Sequence, residues 1–551
     1  MSGSITLENR FGVNKMELIS LKYAIFVIVL LVLYYCFPKK YRWYVLLAGS
    51  MAYYVIICKW YVLFIIFTIC TTYGSTIWID KLLKEQNAIV KSHKEDWDRQ
   101  TRKEYKEKGR KKRVAVMLFA LLCNFGILAF LKYIPYAGEL GLLLPLGISF
   151  YTFQSMGYVM DVYREIVEPE KNFLKVALFV SFFPQIIQGP IAIYDKLAGQ
   201  LYEGHSLRLE NLQKGALLVL WGVMKKLVIA DRAVNIINFV MDKPMDFSGT
   251  YVFFAAVVYA LQLYADFSGG IDIVRGIAEM FGITMSTNFN HPYFSRSLTE
   301  YWHRWHMTLG DWCRNYIFYP LSISKRFLNF GKWLKPRFGA HISKVLPGCI
   351  ASVITFIVIG VWHGANMKYL CFGLWNGIVI MLAELFAPVN KKVAGGFFKL
   401  TGLREKGIFA TIVSVLWTFM LILVGYYFDI AANASTAFHM LFKSVTDFHI
   451  SELGINNIIL NLGACGLDEY DILLLIICTL LWFFISFVEE NKKLDMRDFI
   501  LSRKLPLRWA IIYLGIFIVI IFGYYGPGVN PADFVSVSYT HLRAHETVLD
   551  L

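Results

Sequence analysis

The chain is predicted to be an all-α, polytopic membrane protein, and three observations lead there. The first is composition. Of 551 residues, 57% are hydrophobic and 17% charged, against about 45–50% apolar and about 25% charged in soluble domains. Surface positions that face lipid tolerate apolar side chains and penalise charges, which accounts for the difference. The second is run length: apolar stretches recur near the ~20 residues that a helix needs to cross hydrocarbon. The third is charge placement. The net charge of +15 collects in loops between apolar runs, as the positive-inside rule expects. A chain this basic could bind nucleic acid, but charge confined to such loops argues against that partner.

The first apolar run, Leu18 to Phe37, is too long for the apolar part of a signal peptide, and no small-residue cleavage site follows it. It reads as a retained first span. Further runs lie at about 43–58, 60–79, 114–132, 140–158, 173–191, 214–239, 250–265, 346–361, 367–387, 408–429, 472–488 and 508–526. Some are short or broken by Gly and Pro, so about 11–13 transmembrane or re-entrant helices are expected. With the N-terminus outside, three basic loops fall on the cytoplasmic side. They are 38–42 with Lys39, Lys40 and Arg42, the segment 80–113 with thirteen Lys/Arg against seven Asp/Glu, and 161–175 with Arg164, Lys171 and Lys175. The segment 80–113 reads as a solvated loop, helical or disordered, without chemistry of its own. The nine cysteines form no CxxC pair and lie mostly inside apolar runs. They read as small apolar residues, and no metal site or disulfide framework is expected.

Four stretches are too polar for plain spans and too apolar for plain loops. The first runs from Pro145 through Gln154 to Asp161 and Arg164. The second, Ser181 to Pro190, holds two Pro, one Gly and two Gln. It is either a kinked span or backbone lining a cavity, the setting in which irregular backbone is tolerated at membrane depth. The third joins Tyr264–Asp272, Asn288–Tyr293 and Tyr301–Pro320. On one helix, Trp302, Trp305, His306, Leu309, Trp312, Cys313 and Tyr316 would share a stripe, with Arg304, Asp311 and Arg314 largely off it. That pattern predicts an interfacial helix. The bland alternative for His306 is a half-buried histidine hydrogen-bonded within the stripe. The fourth is Ile359–Ala365, where His363 ends an apolar run between Gly360 and Gly364. Ionisable residues at membrane depth are scarce and mark function by default, and imidazole suits general-base work near neutral pH. A His hydrogen-bonded across helices is the alternative.

No GxSxG, HExxH or Walker lysine motif occurs. Two histidines without a protein nucleophile point to a nucleophile supplied by the substrate, such as a hydroxyl attacking an activated acyl group. The stretches Pro145–Phe153 with Asp161–Arg164, Phe182–Pro190, Asp266–Gly269, Asn288–Tyr293, Tyr301–Pro320 and Val361–Gly364 occur in one order over roughly residues 140–380. In this they resemble the membrane-bound O-acyltransferase (MBOAT) family, and within it the bacterial branch typified by alginate O-acetyltransferase. Tyr524–Phe534 also looks like that branch.

The resemblance implies an MBOAT fold with helices around a central tunnel. It divides the chain into N-terminal helices (1–79), a basic cytoplasmic loop (80–113), a catalytic core (114–390) and C-terminal helices (391–534). Residues 535–551 depart from the family pattern and read as a sequence artefact; His541 and His545 there are not taken as a metal site. The resemblance makes His363 the catalytic histidine and His306 its second polar position. Trp302 and Trp305 would support the tunnel wall, together with Trp312. Asp266, Asn288, Asn290 and Arg304 would orient the substrate. It implies no bound cofactor, acetyl-CoA or another acyl thioester as donor, and transfer toward a cell-surface polysaccharide. It also implies an extracytoplasmic partner of esterase fold and residence in a bacterial cytoplasmic membrane. The rival expectations are a transporter or flippase for a lipid-linked sugar, and a non-catalytic scaffold of a polymer-secretion complex.

Overall fold

A computed structural model describes residues 18–134, 142, 144–401, 404, 407–454, 457 and 465–525. Residues 526–534 and the tail 535–551 lie outside the described residues, as does the start of the expected span at 140. Among the described residues every regular element is a helix. Eight stretches are long and apolar enough to cross a membrane: Lys39–Ser92 (two successive helices), Arg99–Tyr133, Gly249–Met280, Lys325–His363, Met367–Leu385, Ile408–Ile430, Glu469–Lys492 and Leu505–Phe522. Leu21–Cys36 and Phe173–Gln188 are shorter apolar helices. The protein is therefore a helical, multi-pass membrane protein. Its described residues divide into two compact units, 18–219 with 271–286, and 220–270 with 287–525.

The first unit holds α1 (Leu21–Cys36), α2 (Arg42–Cys58), α3 (Val62–Ser92), α4 (Arg99–Tyr133), α5 (Ile148–Tyr163), α6 (Phe173–Ser181), α7 (Phe183–Gln188), α8 (Tyr194–Glu203) and most of α9 (Leu209–Met224). At about 1.5 Å per residue, α3 and α4 are longer than the ~30 Å of hydrocarbon they must cross. The expected loop 80–113 is the helical continuation of both, turned at Ser92–Asp98 and capped where the Asp98 carboxylate accepts from Thr101 N–H at 2.9 Å. The stretch 173–191 is a broken helix. Phe182 leaves helical geometry, and Pro184 at the start of α7 needs no partner for its missing N–H.

The basic loops share one face of this unit. Arg42 donates to Phe37 O at 2.9 Å, to Tyr35 O at 3.0 Å and to His205 O. Tyr202 Oη donates to Lys175 O at 2.9 Å and Tyr73 Oη to Lys171 O at 3.0 Å. Arg113 meets Glu165 at 3.0 Å. The loops at 38–42 and 161–175 and the base of the 80–113 extension therefore emerge together.

The second unit continues from the π-turn Lys225–Ala230 into α10 (Asp231–Met241) and α11 (Gly249–Met280), whose last turns belong to the first unit. Then follow α12 (Leu298–Arg304), α13 (Met307–Cys313), a π-turn (Arg314–Phe318), α14 (Tyr319–Ser322), α15 (Lys325–His363), α16 (Met367–Leu385), α17 (Ala387–Thr401), α18 (Ile408–Ile430), α19 (Ala434–Thr446), α20 (Glu469–Lys492), α21 (Met496–Leu501) and α22 (Leu505–Phe522). The end of α15 packs on α16 backbone to backbone. A Cβ on Gly360 would strike the Tyr369 carbonyl, and one on Gly373 the Phe356 carbonyl. Small residues permit this approach, and it fixes the level at which His363 leaves α15.

The single interfacial helix expected over 301–320 is not formed. Its stripe is buried, with Trp305, His306, Leu309, Trp312 and Cys313 all in the core, but the backbone is cut in the middle. His306 sits in the left-handed region at φ 43°, ψ 51°, between α12 and α13. The cause is tertiary. The loop 288–290 takes the backbone on both sides of the cut: Asn290 N–H donates to Arg304 O at 3.0 Å and Met307 N–H to Asn288 O at 2.9 Å.

Candidate functional site

His306 is held from one side only. Asn288 Oδ1 accepts from Thr308 N–H at 3.1 Å and from Thr308 Oγ1 at 2.8 Å. A backbone N–H can only donate, so this atom of Asn288 is the carbonyl oxygen. His306 Nδ1 lies 3.2 Å from the same oxygen and must carry the proton between them. The consequence is at the other ring nitrogen. Nε2 is left with its lone pair, is buried and has no hydrogen-bond partner among the described residues. Burial first, and the charge of His363 second, hold the His306 imidazole down at about 3. It is a neutral acceptor at any physiological pH.

His363 closes α15, half-buried, where Gly364 turns the chain out of the helix. Its ring lies 4.9 Å from Trp362, 6.0 Å from Tyr369 and 5.6 Å from Phe372. Phe372 also packs 6.2 Å from Trp302, whose Nε1 donates to Asn376 Oδ1 at 3.0 Å. Phe267 stands edge-on to His306 at 4.9 Å and 6.4 Å from Trp305. Trp305 in turn contacts Phe289 at 5.0 Å and Tyr301 at 5.7 Å. Both histidines thus sit among aromatic rings, and the charge of His363 bears on the basicity of His306.

The remaining sequence-predicted residues are more distributed. Asp266 is fully buried and bound at 2.6 Å by Lys226, which also meets Asp231 at 2.9 Å. Lys225 donates to Ser268 Oγ at 2.8 Å. Asp266 therefore belongs to a buried ionic cluster between α11 and the π-turn, one residue from Phe267. Arg304 is taken by carboxylates, Glu300 at 2.7 Å and Glu490 at 3.0 Å. Asn290 has an exposed side chain and contributes its backbone. Asn288 joins His306 directly.

Other residues of the site escaped the sequence reading. Thr308 identifies the Asn288 oxygen. Tyr301, Tyr426 and Tyr293 link their hydroxyls at 2.8 and 3.1 Å, ending on Ala260 O at 2.6 Å. Lys368 donates to the carbonyls of Asp429 at 2.9 Å and Ala431 at 2.7 Å, tying the end of α18 to the turn after His363. Lys225, Lys226, Asp231 and Arg232 had a signal, four charges in the middle of the apolar run 214–239. Tyr426 had none, because an aromatic in the apolar run 408–429 reads as core; Tyr293 and Tyr301 lie in stretches that stood out in the sequence, but nothing there pointed to their hydroxyls.

Residues 169–335 match the model of MBOAT, the membrane-bound O-acyltransferase family. The chain is 30% identical over 315 residues to the probable alginate O-acetylase AlgI of Pseudomonas syringae, covering 56% of this chain and 54% of that protein. It is 30% identical over 314 residues to the peptidoglycan O-acetyltransferase of Helicobacter pylori, covering 50% and 56%. The teichoic acid D-alanyltransferase of Bacillus subtilis is 26% identical over 288 residues, covering 51% and 67%. The alignments span about half to three-fifths of the length of the first two relatives. The matched segment carries Asn288, Arg304 and His306, and similarity to an alginate O-acetylase extends over more than half of the chain, so the part of this membrane protein that holds the candidate site is similar to the membrane-bound O-acyltransferase family.

Proposed function

We propose that the chain is an O-acyltransferase, in the first place an O-acetyltransferase, that moves an acyl group from a cytoplasmic thioester toward a cell-surface polysaccharide. The observation that carries this reading is the asymmetric histidine pair. His306 is buried and neutral, with Nε2 bare of partners among the described residues, and His363 is half-buried at a helix end close enough to lower the basicity of His306. A proton on one ring disfavours a proton on the other, so the two do not share the same task.

In the proposed reaction the acceptor hydroxyl attacks the thioester carbonyl. The O–C bond forms, the C–S bond breaks, and the hydroxyl proton passes to His363. That proton then leaves with the departing thiolate. His306 stays neutral and accepts a hydrogen bond through Nε2, orienting the donor or the acceptor hydroxyl. Trp302 and Trp305 hold the walls dry; Asn290 and Arg304 brace the backbone beside His306, and Asp266 anchors the buried ionic cluster next to Phe267. The names of two relatives support an acetyl group as the cargo and a polysaccharide or peptidoglycan as the acceptor class; acetyl-CoA is the proposed donor. An extracytoplasmic esterase-fold partner would complete the transfer, and a bacterial cytoplasmic membrane is the proposed location.

The test uses protein reconstituted in vesicles with acetyl-CoA outside and a soluble oligosaccharide acceptor inside. Acceptor-dependent release of thiol is expected, with His363→Ala lowering its rate by at least 10²-fold, the lower range for a general base. Release that is equally fast in the variant would remove His363 from the reaction.

A further inference from the structure

The helix α15 is two helices. Gly339 interrupts it at φ 80°, and a Cβ on Gly331 would lie 2.9 Å from Ser343 O and 3.4 Å from Pro347 Cγ. Residues 331 and 343 would be about 18 Å apart along a straight helix. The segment 325–338 is therefore folded back on the start of 340–363. The latter has 24 residues, about 36 Å, and spans by itself. Leu334 faces inward and is buried, while Leu328, Trp333 and Phe338 are exposed. Among them stand Lys325, Arg326, Lys332, Lys335 and Arg337, all exposed, with Arg337 over the Trp333 ring at 4.2 Å.

The same end of the hairpin carries a second such surface. His341 Nε2 lies 3.2 Å from Leu385 O, in the last turn of α16, and α17 begins two residues later. On α17, Lys391, Lys392 and Lys399 are exposed beside exposed Val389, Val393 and Leu400. Neither 325–363 nor 387–401 contains an Asp or Glu.

We propose that these two segments form one docking surface for anionic phospholipid headgroups of the cytoplasmic leaflet. Charge complementarity selects the occupant: cations without acids, interleaved with exposed apolar side chains that can enter the headgroup boundary. The positive-inside rule places this end in the cytoplasm. The surface lies at the end of α15 opposite His363 and stands independently of the acyl-transfer reading.

The full chain is purified and placed in nanodiscs of phosphatidylcholine alone or with 30% phosphatidylglycerol, and retained lipid is counted by native mass spectrometry alongside thermal unfolding. Each basic side chain near an anionic leaflet strengthens binding roughly fivefold. Phosphatidylglycerol is expected to be retained and to stabilise the native protein. The reversals Lys332→Glu/Lys335→Glu and Lys391→Glu/Lys392→Glu are each expected to lower retention by about 25-fold or more. Lys103→Glu/Lys106→Glu, a matched reversal on the α4 extension, is expected to leave it unchanged. Three outcomes overturn the proposal: equal retention in the docking-surface variants, equal loss in the α4 variant, or full stabilisation by inorganic phosphate in phosphatidylcholine discs. Should a reversal fail to fold, Lys332→Gln/Lys335→Gln carries the same test with a smaller expected loss.

Discussion

Asn288 decides what His306 can do. Its Oδ1 serves Thr308 twice and His306 once, so one atom fixes a loop, a helix start and a tautomer. Asn288→Ala leaves Thr308 N–H and His306 Nδ1–H without their acceptor, at a cost of about 1–3 kcal/mol for a buried unsatisfied donor. A lowered melting temperature and a loss of transfer activity are expected together. Asn288→Asp keeps the acceptor and adds a negative charge that favours protonated imidazole. Its fold should survive better than that of the Ala variant, and its pH–rate profile should move toward alkaline pH. A profile superimposable on the wild type would disconnect Asn288 from His306. The depressed basicity of His306 also has a stability consequence. The unfolded chain protonates this histidine near pH 6.5, whereas the folded chain resists down to about 3. Below pH 6.5 the unfolded state binds more protons, so folding stability falls as the pH drops toward 3 and is unaffected above about 7. At pH 5 the loss is on the order of 2 kcal/mol. Thermal unfolding of His306→Asn should lack this component between pH 7 and 5; an identical acid dependence in the variant would locate the titration elsewhere.

The close approach of α15 and α16 sets the position of His363, because Gly360 and Gly373 each take the other helix's carbonyl where a Cβ would otherwise stand. Gly360→Val is expected to cost about 1–3 kcal/mol through overpacking and to depress transfer further by moving the end of α15. Normal unfolding temperature and normal activity in that variant would show that the contact is not needed. These two helices were legible in the sequence as apolar runs, and so was the kink at 182–184, since proline names its own position. The break at His306 was not. Its buried stripe follows helical spacing, and only the hydrogen bonds from 288–290 reveal why the helix stops there. The helix 325–338 has no counterpart among the apolar runs of the sequence. A helix that folds back on itself at Gly339 leaves no periodic signature, because its two halves bury different faces.

The resemblance to the relatives rests on motifs spread over 140–380, and the family match at 169–335 falls inside that range. The basic loops share one face of the first unit through Arg42, Lys171, Lys175 and Arg113, and that face is proposed to be cytoplasmic. With this face in the cytoplasm, Lys106→Cys should react with a membrane-impermeant maleimide only after permeabilisation, above the background of the native cysteines. Labelling in intact cells would invert the topology and with it the direction of transfer. The central claim remains that His363 serves acyl transfer to a surface polymer. Its most direct measurement is alkali-labile acetate on purified cell-surface polysaccharide, from cells carrying the wild type or His363→Ala at equal membrane abundance. Loss of the acetate in the variant is the expected result; acetate at the wild-type level would contradict the account and return the transporter and scaffold readings to first place.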